Sequence, residues 1–334
     1  MTKPLVSILT PAYNAADTIA ETIHSAIVQS WPCKEIIVVD DGSTDRSVEI
    51  ARSFGSRVRV VSVEHRGGQV ARNHAYSLSQ GDYIQWLDSD DLLAPDKIER
   101  QLAALRESDS KRILLSCPTA RFYFRTSKAR LVHNSLWQDL SPFEWLLRHL
   151  GENAGMHTTN WLTSRELAEA AGPWDERLLC NQDPEYFARV IMASEGIRFV
   201  PDTRVYYRRS GPNRVSFRGR SYEKNKNFLV SMKLLMKYLR SLEESERVRK
   251  ACLKYLQDEY YPFYRKWPDI DAELESLAAE LGGKLKEPRL RPKFAWIRPI
   301  LGWKVAQWAQ ESLPTPKEYC TRQYDRLMHR LRRD

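Results

Sequence analysis

Two short acidic runs carry the first chemical signal in this chain. Asp88-Ser89-Asp90-Asp91 follows the apolar run Tyr83–Leu87. Alternate residues of an extended chain point the same way, so Asp88 and Asp90 can project together. Two carboxylates converging in a cleft either share a proton or are separated by a cation. A hard divalent ion, Mg²⁺ or Mn²⁺, held by one or two carboxylates and completed by substrate phosphates, meets that need. A solvated turn rich in Asp and Ser meets the spacing equally well. Asp40-Asp41-Gly42-Ser43 ends the run Glu35–Asp40. An aspartate there can accept hydrogen bonds from a ribose or a base, while Asp45 can cap the helix that follows. Gly67-Gly68 precedes a helical stretch with Arg72 and Asn73 in its first turn. That arrangement can hold a diphosphate, or it can simply be a loop.

The elements that must position these residues alternate. Leu5–Thr10 is a short apolar run rich in β-formers, and Ala16–Gln29 carries Ile19, Ile23 and Ile27 at helical spacing. A strand over Glu35–Asp40, a helix over Arg46–Phe54, a strand over Val58–Val63, a helix over Val70–Ser79 and a strand over Tyr83–Leu87 continue the series. The expected fold is α/β: a Rossmann-like, mostly parallel sheet flanked by helices, with its strands buried on both faces. Ligands of such sheets sit beyond the carboxyl ends of the strands. There the chain places Pro11-Ala12-Tyr13-Asn14, then Asp41–Asp45, then His65-Arg66-Gly67-Gly68, then Asp88–Asp91. Farther on, Ile113–Cys117, Ala120–Phe124 and Thr203–Arg208 read as strands and Phe143–Leu150 as a helix. Tyr222–Leu239, Glu244–Arg265 and Ile270–Leu281 read as helices before Pro288, Pro292 and Pro299 break the pattern. Two regions are expected: a catalytic domain over 1–216 and a smaller helical, basic region over 217–334.

The chain has 334 residues and a net charge of +9, and its apolar fraction of 42% is enough for a sizeable core. Residues 284–334 hold thirteen Lys or Arg against five Asp or Glu. A basic tail on a neutral body suits an anionic membrane surface or nucleic acid, or forms a solvated helical face. The five cysteines are widely spaced with no C-x-x-C, which excludes a disulfide framework and a zinc site and fits a reducing compartment. The amino terminus shows no signal-peptide pattern and no stretch approaches transmembrane length. A cytoplasmic protein is expected, resting on a membrane surface if the tail binds one.

Taken together, P-A-Y-N, V-V-D-D-G-S-T-D, G-x-x-x-A-R-N and L-D-S-D-D occur in this order after successive strands. The combination resembles the family 2 glycosyltransferases, closely over about residues 4–105 and recognisably to about 216. The resemblance implies that Pro11, Tyr13, Asn14, Asp40 and Asp41 hold the nucleoside of a sugar nucleotide, most often a UDP-sugar, with Asp41 reading the base. It implies that Asp88 contacts the ribose or diphosphate, that Asp90 binds Mg²⁺ or Mn²⁺ with Asp88 beside it, and that Gly68 and Arg72 approach the diphosphate. Gly172-Pro173-Trp174-Asp175-Glu176 and Asn181-Gln182-Asp183-Pro184-Glu185 resemble the family's later signature, which makes Asp183 the general base. Gln182 stands where Glu is common. Pro184 should keep Asp183 out of helical geometry at a helix start, where it can also serve as a cap. Ser210 replaces the histidine that often completes the metal shell, which leaves Arg208 and Arg209 to neutralise the leaving diphosphate.

The implied reaction is inverting transfer of one sugar to a saccharide or glycolipid hydroxyl, as in cell-surface polysaccharide synthesis. The absence of a Q-x-x-R-W signature and of spanning helices argues against a processive synthase. A dinucleotide-dependent dehydrogenase is excluded because Pro11–Asn14 cannot serve as G-x-G-x-x-G. A signalling receiver domain gives no role to Asp183. The alternative is a basic nucleic-acid- or membrane-binding protein on an inactive glycosyltransferase scaffold, with Trp296, Trp303 and Trp308 interleaved with cations. A salt-sensitive gel shift without sugar-nucleotide binding would favour it.

Overall fold

The computed structural model describes residues 3–105, 110–209, 221–313 and 316–331. The first third alternates as expected: β1 (Val6–Ala12), α1 (Ile19–Ile27), β2 (Lys34–Asp41), α2 (Ser47–Arg52), β3 (Arg59–Val63), α3 (Gly68–Leu78) and β4 (Tyr83–Trp86). Then come β5 (Leu92–Leu93), α4 (Lys97–Ala103), β6 (Ile113–Ser116), β7 (Thr119–Phe122), β8 (Arg130–Leu131) and α5 (Pro142–Gly151). The central part closes with β9 (Thr163–Ser164), α6 (Arg165–Ala171), α7 (Gln182–Ala193), β10 (Gly196–Phe199) and β11 (Val205–Arg208).

The main sheet runs β3-β2-β1-β4-β9, parallel except where β9 meets β4. The chain moves outward from β1 to β3 and then returns through α3 to β4 on the other side of β1. That reversal opens a crevice at the carboxyl ends of β1 and β4, which is where ligands of open α/β sheets bind. Pleating sends alternate side chains to opposite faces. Ile8, Ile36 and Val38 join Ile19, Ile23 and Ala26 of α1 in one apolar cluster. Leu9, Ile37, Val39, Ile84 and Trp86 face Ala71 and Ala75 of α3 in the other. β1, β2 and β4 are buried on both faces, as expected, but β3 is not: Arg59 and Ser62 are exposed and Val60, Val61 and Val63 only half-buried. It is the edge strand, and one side of it has no neighbour to cover it.

A second sheet, β5-β11-β7-β8, leans against the acidic loop. β11 pairs antiparallel with β5, directly after Asp88–Asp91, so the carboxyl end of β11 arrives beside that loop. The third pairing, β10 with β6, is parallel. The helices α8 (Tyr222–Leu242), α9 (Glu246–Glu259) and α10 (Pro268–Glu280) follow, and Ser221 caps α8 by accepting from the Lys224 N–H. They do not build a separate core. Met232, Leu235, Leu239, Leu256, Phe263 and Leu274 join Leu9, Trp86 and Trp145 in one continuous cluster. The boundary expected at residue 216 lies outside the described residues.

The basic tail forms α11 (Pro292–Ala295), α12 (Ile297–Ser312) and α13 (Pro316–Arg330). Gly302, at φ 77°, breaks α12 in the middle. Its aromatics divide between buried and exposed positions. Trp303 packs its ring edge-on against Tyr264, 4.9 Å away, and Phe294 is buried, whereas Trp296 and Trp308 are exposed beside Ile300 and Leu301. Among the described residues no helix is long and apolar enough to cross a membrane.

Candidate active site at the carboxyl edge of the sheet

The loop after β1 is built by reciprocal bonds with the loop after β2. Asn14, in left-handed geometry at φ 47°, donates its N–H to Ser43 Oγ at 2.8 Å, and its Oδ1 accepts from the Thr44 N–H at 2.8 Å. Asp45 accepts from the Ala16 N–H and, two residues on, from the Ser47 N–H, an Asx-type turn leading into α2, whose cap position is Arg46 and carries no side-chain capping bond. The Tyr13 ring, 43% exposed, stacks on His65 with centroids 4.2 Å apart and planes 19° from parallel. Pro11 lies on β1 opposite Val39. The loops after β1 and β3 thus meet through a stacked aromatic pair beside the end of β2.

Asp40 and Asp41 are both 2% exposed but differ in partners. Asp41 accepts from the backbone N–H groups of Arg66 and Gly67 at 2.8 and 3.0 Å, and His65 Nδ1 lies 2.9 Å from its Oδ2. Asp41 therefore ties the end of β2 to the loop after β3. Asp40 accepts only from the Ser43 N–H at 3.2 Å, and its Oδ1 is buried without a partner among the described residues. An enclosed, unpaired carboxylate oxygen is costly, and a donor from outside the chain would relieve it. Gly42 is required here: at φ 72° a Cβ would stand 2.9 Å from the His65 nitrogen.

Arg72 is the hub of the cleft. Gly67 opens α3 at φ 105°, no side chain caps the helix, and Gly68 leaves room for the Arg72 guanidinium, whose Nη1 would be 3.4 Å from a Cβ there. Arg72 Nη2 donates to Asp88 Oδ1 at 2.8 Å and lies 3.8 Å from Asp183 Oδ1. Its guanidinium rests on the Trp174 ring at 4.6 Å, and that ring stacks in turn on Tyr186 at 4.0 Å. Against the cost of burial, the charges of Asp88 and Asp183 hold Arg72 more firmly protonated than usual. The Gly172–Glu176 segment is fixed to α3 through Asn73, which accepts from the Trp174 N–H at 2.8 Å and donates to its carbonyl at 3.0 Å.

Asp183 sits in the first turn of α7, not before it, and α7 starts one residue earlier at Gln182. The expectation that Pro184 keeps Asp183 out of helical geometry is therefore corrected. Proline is tolerated there because first-turn N–H groups have no intrahelical partner. Asp183 does not cap the helix either. The cap position is Asn181, at φ 56°, and it makes no side-chain capping bond. Asp183 Oδ1 is enclosed without a hydrogen-bond partner among the described residues, while the side chain as a whole stays 34% exposed. Burial pushes this carboxyl above its ordinary value, with Arg72 opposing the rise and Asp88 adding to it. Glu185, the next carboxylate, is bound to Arg189 at 2.7 Å and to the Tyr238 hydroxyl at 2.8 Å.

Asp88, Asp90 and Asp91 divide the acidic loop between them. Asp91 is fully buried, accepting from the Arg208 N–H at 3.0 Å and the Thr159 hydroxyl at 3.1 Å. Burial first, then the charges of Asp90 and Asp88, push its carboxyl well above the usual carboxylate range. Arg208 has partners other than the diphosphate the sequence suggests. Its Nε donates to the Asp90 carbonyl at 2.8 Å, its Nη2 to Glu21 Oε2 at 2.7 Å, and its guanidinium lies on Phe122 at 4.5 Å. Arg209 donates to the Tyr123 hydroxyl at 2.8 Å. Ser210 lies outside the described residues. No three acidic, His or Cys side chains form a ready cage among the described residues. Asp88 and Asp90, two carboxylates on one loop, suit a hard cation whose other positions are filled by phosphate and water.

Sequence reasoning did not single out His65 as a ring partner, Trp174 as the support of Arg72, or Glu21 and Thr159. His65 left a signal in its position at the strand edge, and Trp174 in its place within the Gly172–Glu176 segment.

In fold the molecule is similar to two solved structures. It resembles the Staphylococcus aureus protein TarS, residues 1–349 in complex with UDP-GlcNAc, at a TM-score of 0.65 and 17% identity over 83% of this chain and 80% of that one. It also resembles the mannosyltransferase PcManGT of Pyrobaculum calidifontis in complex with GDP-Man and Mn²⁺, at 0.54 and 17%, over 99% and 87%. Residues 7–172 match the model of the glycosyl transferase family 2, and the chain belongs to that family. TuaG of Bacillus subtilis, a glycosyltransferase named for teichuronic acid biosynthesis, is 47% identical over 31% of this chain and 43% of its own. An uncharacterized glycosyltransferase of Rickettsia typhi is 41% identical over 57% and 60%. The chain thus spans less than two thirds of the length of either relative.

Proposed function

We propose that this protein transfers a sugar, with inversion, from a UDP-sugar to an acceptor hydroxyl. The observation that carries this reading is the Arg72 hub, which joins the carboxylate of the acidic loop, Asp88, to that of the α7 turn, Asp183. Tyr13 and His65 offer the base a stacking wall, and the buried Asp40 oxygen invites a donor from the nucleoside. The open first turn of α3, with Gly68 and Arg72, faces the diphosphate. Asp88 and Asp90 would hold Mg²⁺ or Mn²⁺, which neutralises charge developing on the leaving diphosphate. Asp183 takes the proton of the acceptor hydroxyl, and burial, which raises its carboxyl, makes it a better proton acceptor than an ordinary aspartate. One displacement at the anomeric carbon through an oxocarbenium-like transition state needs no enzyme nucleophile.

The UDP in TarS and the Mn²⁺ in PcManGT support the donor and cation classes by likeness of fold. We place the protein in cell-surface polysaccharide or glycolipid synthesis on the cytoplasmic side, with the exposed face of α12 resting on anionic lipid. A panel of nucleotide sugars tested for Mn²⁺-dependent hydrolysis and thermal shift checks the donor. A UDP-sugar should raise the unfolding midpoint and be turned over. If no nucleotide sugar does either, the reading is wrong.

A further inference from the structure

The C-terminal helix α13 lies outside the segment that matches the family, yet its contacts lead to the acidic loop. Asp325 is 5% exposed. Its Oδ2 accepts from the backbone N–H groups of Phe124 and Arg125 at 2.9 and 3.2 Å, and its Oδ1 accepts from Arg125 Nε at 2.6 Å. Two backbone donors and a guanidinium on one buried carboxylate make a charge-assisted anchor that is expensive to break from one side.

That anchor holds the turn directly after β7. β7 pairs with β11 so that Phe122 stands opposite Arg208, and the Phe122 ring supports the Arg208 guanidinium. Four residues along α13, His329 faces the Phe124 ring at 6.0 Å and brings Nε2 to 3.9 Å from Glu21 Oε1. The other oxygen of Glu21 accepts from Arg208, and Arg208 binds the Asp90 carbonyl and, through its N–H, Asp91. The Arg208 and Glu21 side chains are 7% and 30% exposed. Without Glu21, the buried Arg208 guanidinium would keep the Asp90 carbonyl and the Phe122 ring but no carboxylate among the described residues, and it would relax by moving away from the loop.

We propose that α13 is a strap that positions the acidic loop, with Asp325 and Glu21 as positioning residues acting through Arg208. What the loop holds rests on the donor reading above; the coupling itself does not. The test uses the full chain with Asp325→Ala, Asp325→Asn and Glu21→Gln. Hydrogen exchange is read without nucleotide, and UDP affinity is read by calorimetry with Mn²⁺. Asp325→Ala should lose protection both in α13 and at residues 88–93, and should weaken UDP binding on the order of tenfold, the size of a typical coupling between sites. Asp325→Asn, which can still accept a backbone hydrogen bond, should recover part of both. Glu21→Gln should loosen residues 88–93 while α13 stays protected. If Asp325→Ala frees α13 alone, or Glu21→Gln leaves residues 88–93 fully protected, the proposal is overturned. A wild type that binds no UDP would refute the donor assignment, while exchange at residues 88–93 would still decide the coupling.

Discussion

Asp183 and Asp88 share Arg72 but answer to different surroundings. Asp88 has a full hydrogen bond from the guanidinium; Asp183 is held 3.8 Å off, with one oxygen enclosed and without a hydrogen-bond partner among the described residues. A carboxylate kept close to a cation without being neutralised by it can still accept a proton. Asp183→Asn keeps the shape and cannot do so. Its turnover should fall by roughly 10²–10⁴, with UDP affinity little changed. Because burial raises the Asp183 pKa, the ionised base is lost as pH falls through that raised value. The acid limb of the wild-type rate profile should therefore stand above the ordinary carboxylate range and vanish in the variant. A drop below about threefold, or an unshifted limb, would leave Asp183 without a role in proton transfer. At this scale Asp88, Asp90, Arg72 and Asp183 could be named from the ordered motifs and the resemblance they carry, because residue type and place at a strand or helix end left a solvated turn, a loop or a cap equally open. Glu21 is not. In sequence it is an ordinary first-turn glutamate, and its partner lies 187 residues away.

The alternation of β1 to β4 with α1 to α3 is legible because buried strands and one-sided helices leave different apolar periods. β3 misleads because Val60 and Val61 are strand formers at an edge, where the same residues end half-buried. The placement of α13 is illegible for a different reason. Its mostly polar sequence docks through Asp325 and His329, and so few contacts leave no apolar period to read. α12 divides more sharply than its composition suggests. Trp303 turns inward, and Trp296, Ile300, Leu301 and Trp308 stand 62%, 69%, 59% and 49% exposed among Lys and Arg. Aromatic and basic residues on one surface suit the membrane interface, and each cation near anionic lipid contributes about 1 kcal/mol, screened by salt. Wild type should sediment with anionic vesicles at low salt and be released by added salt. The triple variant Trp296→Ser, Ile300→Ser and Trp308→Ser should stay in the supernatant. Equal sedimentation of the two would remove lipid as the partner of this face.

The larger of the apolar clusters runs from Leu9 on β1 to Leu281 after α10. The helices beyond residue 220 are thus not an appendix to a finished catalytic domain. Residues 1–216 expressed alone should fail to unfold cooperatively, and Leu235→Ala in the full chain should cost about 2–5 kcal/mol. A sharp thermal transition for the fragment would contradict that shared core. The same packing sets α7, and so Asp183, against Arg72 and the acidic loop across the cleft. The most direct test of the account is a calorimetric titration of UDP into wild type and Asp90→Ala, each with Mn²⁺ and with excess chelator. The account predicts Mn²⁺-dependent binding to wild type and its loss in Asp90→Ala, where the second carboxylate for the cation is gone. UDP binding that ignores both Mn²⁺ and Asp90, or no binding of UDP to wild type at all, would contradict it.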